Sequence, residues 1–220
     1  MKFLDKDGLE YFWGKIKNYV GEEVTPINEK VFAAHGAAAV TVSPNVIEKG
    51  ASTEVTVKNS VTFSGSSYSP LSVSLKKGDE ELSTTANGSV KDNVTDTTTY
   101  SMDVTFIANV TKKVSGTVTA VYPMYFGGDA SATMDSAKIT ALTKQSLKTS
   151  PNGTYNVSVA QGEYMWLCIP SNMNINKVAS AGFDVPMEAA ATVAVTGKGN
   201  YKCYRSSSKF NAGTVNIVIS

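Results

Sequence analysis

From residue 40 to residue 122, apolar and polar side chains alternate with a period of two, and that rhythm leaves antiparallel sheet as the main option for this stretch. Val40 and Val42 begin it. Val55, Val57, Val61 and Phe63 alternate with Thr and Lys, and Leu71, Val73 and Leu75 alternate with serines. Tyr100, Met102, Val104 and Phe106 alternate with Ser, Asp and Thr. Turn-forming clusters separate these runs: Ser43-Pro44-Asn45, Lys49-Gly50, Ser64-Gly65, Lys77-Gly78-Asp79 and Asn87-Gly88. Short strands with one wet face each predict a β-sandwich over residues 40–122. Its length suits an immunoglobulin-like module. It has no Cys…Trp…Cys core, so its apolar face alone must hold it together.

The segment Val114–Gly128 marks a change. Alternation runs to Tyr122, then Pro123 removes a backbone donor, Tyr125 and Phe126 follow, and Gly127-Gly128 breaks the run. We read it as the last strand of one β domain entering the first strand of the next. A second sandwich is expected over residues 123–220. Asp135–Leu142 offers a helical turn or two, with Ile139 and Leu142 inward. Tyr155, Val157 and Val159 alternate, as do Val215, Ile217 and Ile219. Met165–Ile169 (MWLCI) is continuously apolar, which predicts a central strand covered on both faces.

Residues 1–24 carry the one helical signal. Leu9, Phe12, Trp13, Ile16 and Val20 fall on a single helical stripe, with Asp5 or Asp7 to cap its start and Gly21 to end it. Each such side chain gains about 1.5–3 kcal/mol on full burial, so a stripe of five demands a partner. We read it as an assembly or docking helix; packing on the chain's own body is the competing reading. Residues 25–39 read as a linker, with Pro26 blocking a longer helix and little to bury in Ala33–Ala39. The expected class is therefore mainly β: a short N-terminal helix followed by two consecutive sandwiches, the first immunoglobulin-like.

Hydrophobic content of 42% and charged content of 18% suit packed cores rather than disorder. A net charge of +1 gives no global field for nucleic acid or an acidic membrane. No apolar run approaches the roughly 20 residues that span a bilayer. After Glu188 there are no acids, while Lys198, Lys202, Arg205 and Lys209 remain, which reads as a solvated basic edge. Charges at Lys2, Asp5, Lys6, Asp7 and Glu10 interrupt the apolar core that an export signal needs, so no signal peptide is expected. Cys168 and Cys203 form no CxxC motif. They read as two buried free thiols, or as a bridge within the second domain if it folds in an oxidising place.

Chemistry is scarce. There is no P-loop, no nucleophile elbow, and one histidine, His35, in the linker, so no base serves a serine or cysteine nucleophile. Asp79, Glu80 and Glu81 crowd a hairpin tip and read as solvated. Asp92 and Asp96 lack EF-hand spacing. No catalytic residue, metal ligand or cofactor is expected. Asn87, Asn93, Asn109, Asn152 and Asn156 each begin an N-x-[ST] triplet, which in a chain without a signal peptide reflects Asn, Ser and Thr richness. Among the aromatic residues, Trp166 reads as core. Tyr125 and Phe126 are the expected surface aromatics for a sugar, whose C–H faces stack on rings.

Leu4, Asp5, Gly8, Leu9, Phe12, Trp13, Lys15, Ile16 and Lys17 make a pattern similar to the opening helix of tail-associated proteins of bacteriophages and prophages. The second half, from VYPMYFGG through EYMWLCIP to KCYRSSSKFNAGTVNIVIS, resembles a β domain of tail or appendage proteins of phages of gut Bacteroides-type bacteria. The resemblance implies a non-enzymatic structural part of the virion: a tail, baseplate or fibre component, made in the bacterial cytoplasm. The partners it implies are copies of itself, other virion proteins and a host-surface glycan. Nucleic acid and membrane insertion are not implied. The alternatives are a bacterial surface or carbohydrate-binding β-sandwich module and, behind it, a glycan-active enzyme.

Overall fold

The structure is a computed structural model describing residues 6–20, 36–63, 70–105 and 111–220. The fold is mainly β, with one helix near the N-terminus and several sheets. It divides into two compact units. The first comprises Met1–Asn45, Glu54–Val94 and Thr98–Val118, and the second Val46–Thr53, Thr95–Thr97 and Thr119–Ser220. Among the described residues no helix is long and apolar enough to cross a membrane.

The first unit opens with α1 (Lys6–Tyr19). Strands β1 (Gly36–Ser43), β3 (Thr53–Phe63) and β6 (Gly88–Val94) form a sheet in that order. A five-stranded sheet has the order β2-β8-β7-β4-β5, built from β4 (Ser72–Lys77), β5 (Glu80–Ser83), β7 (Thr98–Thr105) and β8 (Thr111–Val121), with β2 (Val46–Glu48) and the end of β8 from Thr119 counted in the second unit. All its pairings are antiparallel except β2 with β8, which is parallel. Burial follows the alternation in the sequence. Val55, Val57 and Val61 of β3, Val73 and Leu75 of β4, and Tyr100, Met102 and Val104 of β7 are all buried. A Cβ at Gly116 of β8 would sit 2.7 Å from the Val40 carbonyl oxygen of β1, so this close approach requires glycine.

Two details depart from expectation. The linker read over 25–39 extends too far: Gly36–Ala39 already belong to β1, registered against Ser60–Phe63 of β3. Small side chains suffice there because ladder hydrogen bonds hold the strand. Residues 25–35, with His35, lie outside the described residues, as do Gly21, Phe106 and Asn109. The second departure is Asn59, which occupies an inward position of β3 and is buried. Its amide N–H donates to the Thr85 carbonyl at 2.6 Å, while its Oδ1 is buried without a hydrogen-bond partner among the described residues.

The second unit is a sandwich. One sheet has the order β10-β9-β12-β16-β15, from β9 (Tyr125–Asp129), β10 (Thr143–Lys144), β12 (Tyr164–Pro170), β15 (Met187–Val195) and β16 (Gly199–Lys209). The other has the order β11-β17-β13-β14, from β11 (Gly153–Val159), β13 (Val178–Ser180), β14 (Phe183–Asp184) and β17 (Gly213–Ile219). Met124, Phe126, Met165, Leu167 and Ile169 meet Tyr155, Val157, Val159, Ile217 and Ile219 in the core between them. The outer face of the five-stranded sheet is covered as well. Helix α2 (Ser136–Ala141), capped by the Asp135 carboxylate on the Lys138 N–H, brings Ile139 and the following Leu142 against Tyr125, Trp166, Cys168 and Tyr201. So β12 is the middle strand of its sheet, and Met165–Ile169 are buried on both faces.

Candidate functional site

Helix α1 carries the most exposed large apolar surface among the described residues. Its stripe is set by helical spacing, and the structure leaves it open. Phe12 is 53% exposed, Trp13 56% and Val20 49%, while Ile16 is half-buried. Tyr11 and Tyr19 add two further exposed rings. The side chain of Leu9 lies outside the described residues, as does Asp5. Polar residues flank the stripe: Glu10 and Lys17 line a shallow groove along the helix together with Trp13 and Gly14, and the Lys15 ammonium lies 5.6 Å from the centre of the Tyr11 ring. Several rings facing solvent on one helix make an exposed apolar surface of the kind that marks interaction sites.

Tyr125 and Phe126 are not surface residues. Tyr125 is 5% exposed and Phe126 fully buried. They are neighbours on β9, so they point to opposite faces of the sheet. Because both faces are covered, Tyr125 packs beside Tyr201 at 6.0 Å between ring centres, and Phe126 meets Tyr155 edge-on at 4.9 Å. The sugar-stacking role expected for this pair is therefore withdrawn.

The residue that sequence reasoning missed lies close by. The carboxylate of Glu48 accepts from both Lys144 and Lys198, each at 2.5 Å. Burial pushes this carboxyl up, but the hydrogen bonds and charges of the two lysines outweigh burial and hold it below its ordinary value. Lys198 is shifted up in turn, first by its bond to Glu48, with the Tyr125 hydroxyl adding to the effect. Only three-dimensional proximity reveals this cluster, since its members are up to 150 positions apart. Next to it, Lys49, Tyr122, Ser171, Asn172, Lys198 and Asn200 line a cleft of about 370 Å³. The Lys49 ammonium lies 6.0 Å from the Tyr122 ring centre and 3.4 Å from the Asp96 carboxylate.

The remaining expected candidates have structural partners. Asp92 accepts from the Lys77 ammonium and the Tyr100 hydroxyl, both at 2.7 Å. Burial raises its pKa, but these bonds lower it more, so the net shift is downward. Glu81 accepts from the Ser74 hydroxyl at the β4–β5 hairpin. On the basic edge, Arg205 pairs with Glu188 and lies 4.7 Å from the Tyr164 ring centre, and Lys202 donates to Asn174 and the Met173 carbonyl. Among the described residues no group of three or more His, Cys, Asp or Glu could hold a metal ion. Comparison with family models, curated proteins and solved structures found no match to this chain.

Proposed function

We propose that this chain is a structural protein of a phage or prophage virion, a tail, baseplate or fibre component that works by assembly and not by turnover. The observation that carries the reading is the open apolar stripe of α1: Phe12 and Trp13 are more than half exposed and gain burial only against another surface. The similarity of this helix to the opening helix of phage tail-associated proteins supports it. The strand orders support an immunoglobulin-like first domain. Lettered along the chain, β1-β3-β6 reads A-B-E and β2-β8-β7-β4-β5 reads A′-G-F-C-C′. In this reading α1 joins copies of the chain to one another and to neighbouring virion proteins, and the sandwiches are rigid bodies that project from that joint.

Light scattering on the full chain tests it. The expected result is a mass above the 23.3 kDa protomer that falls to one protomer when Phe12 and Trp13 are both replaced by Asp. A wild-type mass of 23.3 kDa at every concentration, unchanged in the variant, contradicts the reading.

The cleft beside Tyr122 favours a second partner, a host-surface glycan. It combines a half-buried ring, two amide side chains and two ammonium groups, which are groups that stack on and hydrogen-bond a sugar. A glycan-array signal abolished by Tyr122→Ala supports this partner, and an array without signal removes it. The same cleft would serve the alternative reading, a bacterial surface carbohydrate-binding module, which would bind glycan and remain a single protomer.

A further inference from the structure

Cys168 on β12 and Cys203 on β16 are 35 positions apart in sequence, yet they occupy one rung of the ladder between two interior strands, as direct Cα partners. The type of rung follows from the bonds around it. Across the continuation of the same pair, the Ser171 N–H donates to the Asn200 carbonyl at 2.8 Å, and on β12 the Met165 N–H points the same way, to the Ser206 hydroxyl at 3.0 Å. Hydrogen-bonded rungs alternate, so the odd-numbered residues of β12 bond towards β16. Cys168–Cys203 is therefore a non-hydrogen-bonded rung, with Cα atoms about 4.5 Å apart. Directly opposed residues share a face, and both side chains join the cluster of Tyr125, Ile139, Trp166 and Tyr201. Disulfides span Cα separations of about 4.4–6.8 Å, so the Cα spacing of this rung lies in the range that a disulfide takes.

Both thiols are free and buried. Close pairing with Cys203, and then burial, raise the Cys168 pKa, and the two thiols titrate as a linked pair.

We propose that Cys168 and Cys203 are a reversible oxidation site, a dithiol that a small-molecule disulfide converts into a cross-strand disulfide clamping β12 to β16. The thiolate of one cysteine attacks one sulfur of the oxidant, releasing one thiol and leaving a mixed disulfide. The other cysteine loses its proton and attacks the first one's sulfur, closing the Sγ–Sγ bond between Cys168 and Cys203 and releasing the second thiol. Two electrons and two protons pass from the pair to the oxidant, which departs as two thiols. Because the rung is buried, the exchange takes place as the sheet forms or during its local opening. The stability of the second unit then depends on the redox state in which it folds, whatever the protein's role.

The test is to refold the full wild-type chain in reduced or in oxidised glutathione, followed by intact mass, peptide mapping without reductant, and thermal melting. In the oxidised arm the protein is expected two hydrogens lighter, with the peptides of Cys168 and Cys203 joined within one chain. Its Tm should be higher by roughly 5–15 °C, and dithiothreitol should reverse every change. Two thiols still titratable after denaturation of the oxidised sample would overturn the proposal. So would a bound glutathione as the end product, or a link between chains. The wild-type chain alone gives the answer, so the outcome does not rest on whether a core substitution folds.

Discussion

Two short apolar stretches of this protein have similar chemistry and opposite surroundings. Met165–Ile169 of β12 includes Trp166 and is fully buried at every position; Phe12 and Trp13 of α1 are 53% and 56% exposed. The strand lies in the middle of a sheet with a second sheet on one face and α2 on the other. The helix has its apolar side chains on a stripe that is left open. Aromatic content alone therefore says nothing about role. Buried rings stabilise the protomer, whereas open rings leave apolar surface in water, which in the proposed role association would cover.

Substitutions in the two stretches should separate these roles. The largest effect on stability is expected from Trp166→Ala. It empties a fully buried site and removes the indole N–H bond to the Ser131 carbonyl, costing about 3–5 kcal/mol in denaturant unfolding, with the assembly state of the remaining folded protein unchanged. Glu48→Ala is expected to cost about 1–2 kcal/mol, because Lys144 and Lys198 lose the carboxylate they share. Smaller still is the effect of acid. The carboxyls of Glu48 and Asp92 are held below their ordinary values of 4.5 and 3.8, so the unfolded chain binds their protons more readily than the folded one. Their contribution is complete above those ordinary values and is lost as the pH falls through the lower folded ones. Thermal melts at neutral pH and at about pH 3 check this, and Glu48→Gln should flatten the difference. The smallest stability change belongs to Trp13→Asp, within about 0.5 kcal/mol, although its effect on assembly should be the greatest of all. If Trp13→Asp instead destabilised the protomer as much as Trp166→Ala, the contrast between the two stretches would vanish.

Much of the fold was legible because burial on one face imprints a period of two. Val55, Val57 and Val61, and Tyr100, Met102 and Val104, are buried as that period requires. The continuous run MWLCI indicated a strand covered on both faces, and β12 is one. The same logic applied to PMYFGG would have predicted that Tyr125 and Phe126 are buried. The pair was read instead as aromatic surface for a sugar, while neighbouring apolar residues on a strand mean two covered faces. Asn59 was illegible because its inward place depends on a carbonyl, that of Thr85, brought in from distant sequence. The Glu48 cluster and the Cys168–Cys203 rung share that obstacle: register, and not local pattern, puts their members together. The stripe on α1 was legible as a stripe, but only the coordinates show that Phe12, Trp13 and Val20 stay open.

The central claim is that the α1 stripe finds its cover in association. The chain has two tryptophans, and Trp166 is fully buried, so collisional quenching by acrylamide reports on Trp13. Measured on the full chain over a range of protein concentrations, the quenchable share of the fluorescence should be large when dilute and fall as protomers associate, with Phe12→Asp keeping it large throughout. A quenchable share that is the same at every concentration, in a protein that stays a single protomer, would contradict the account.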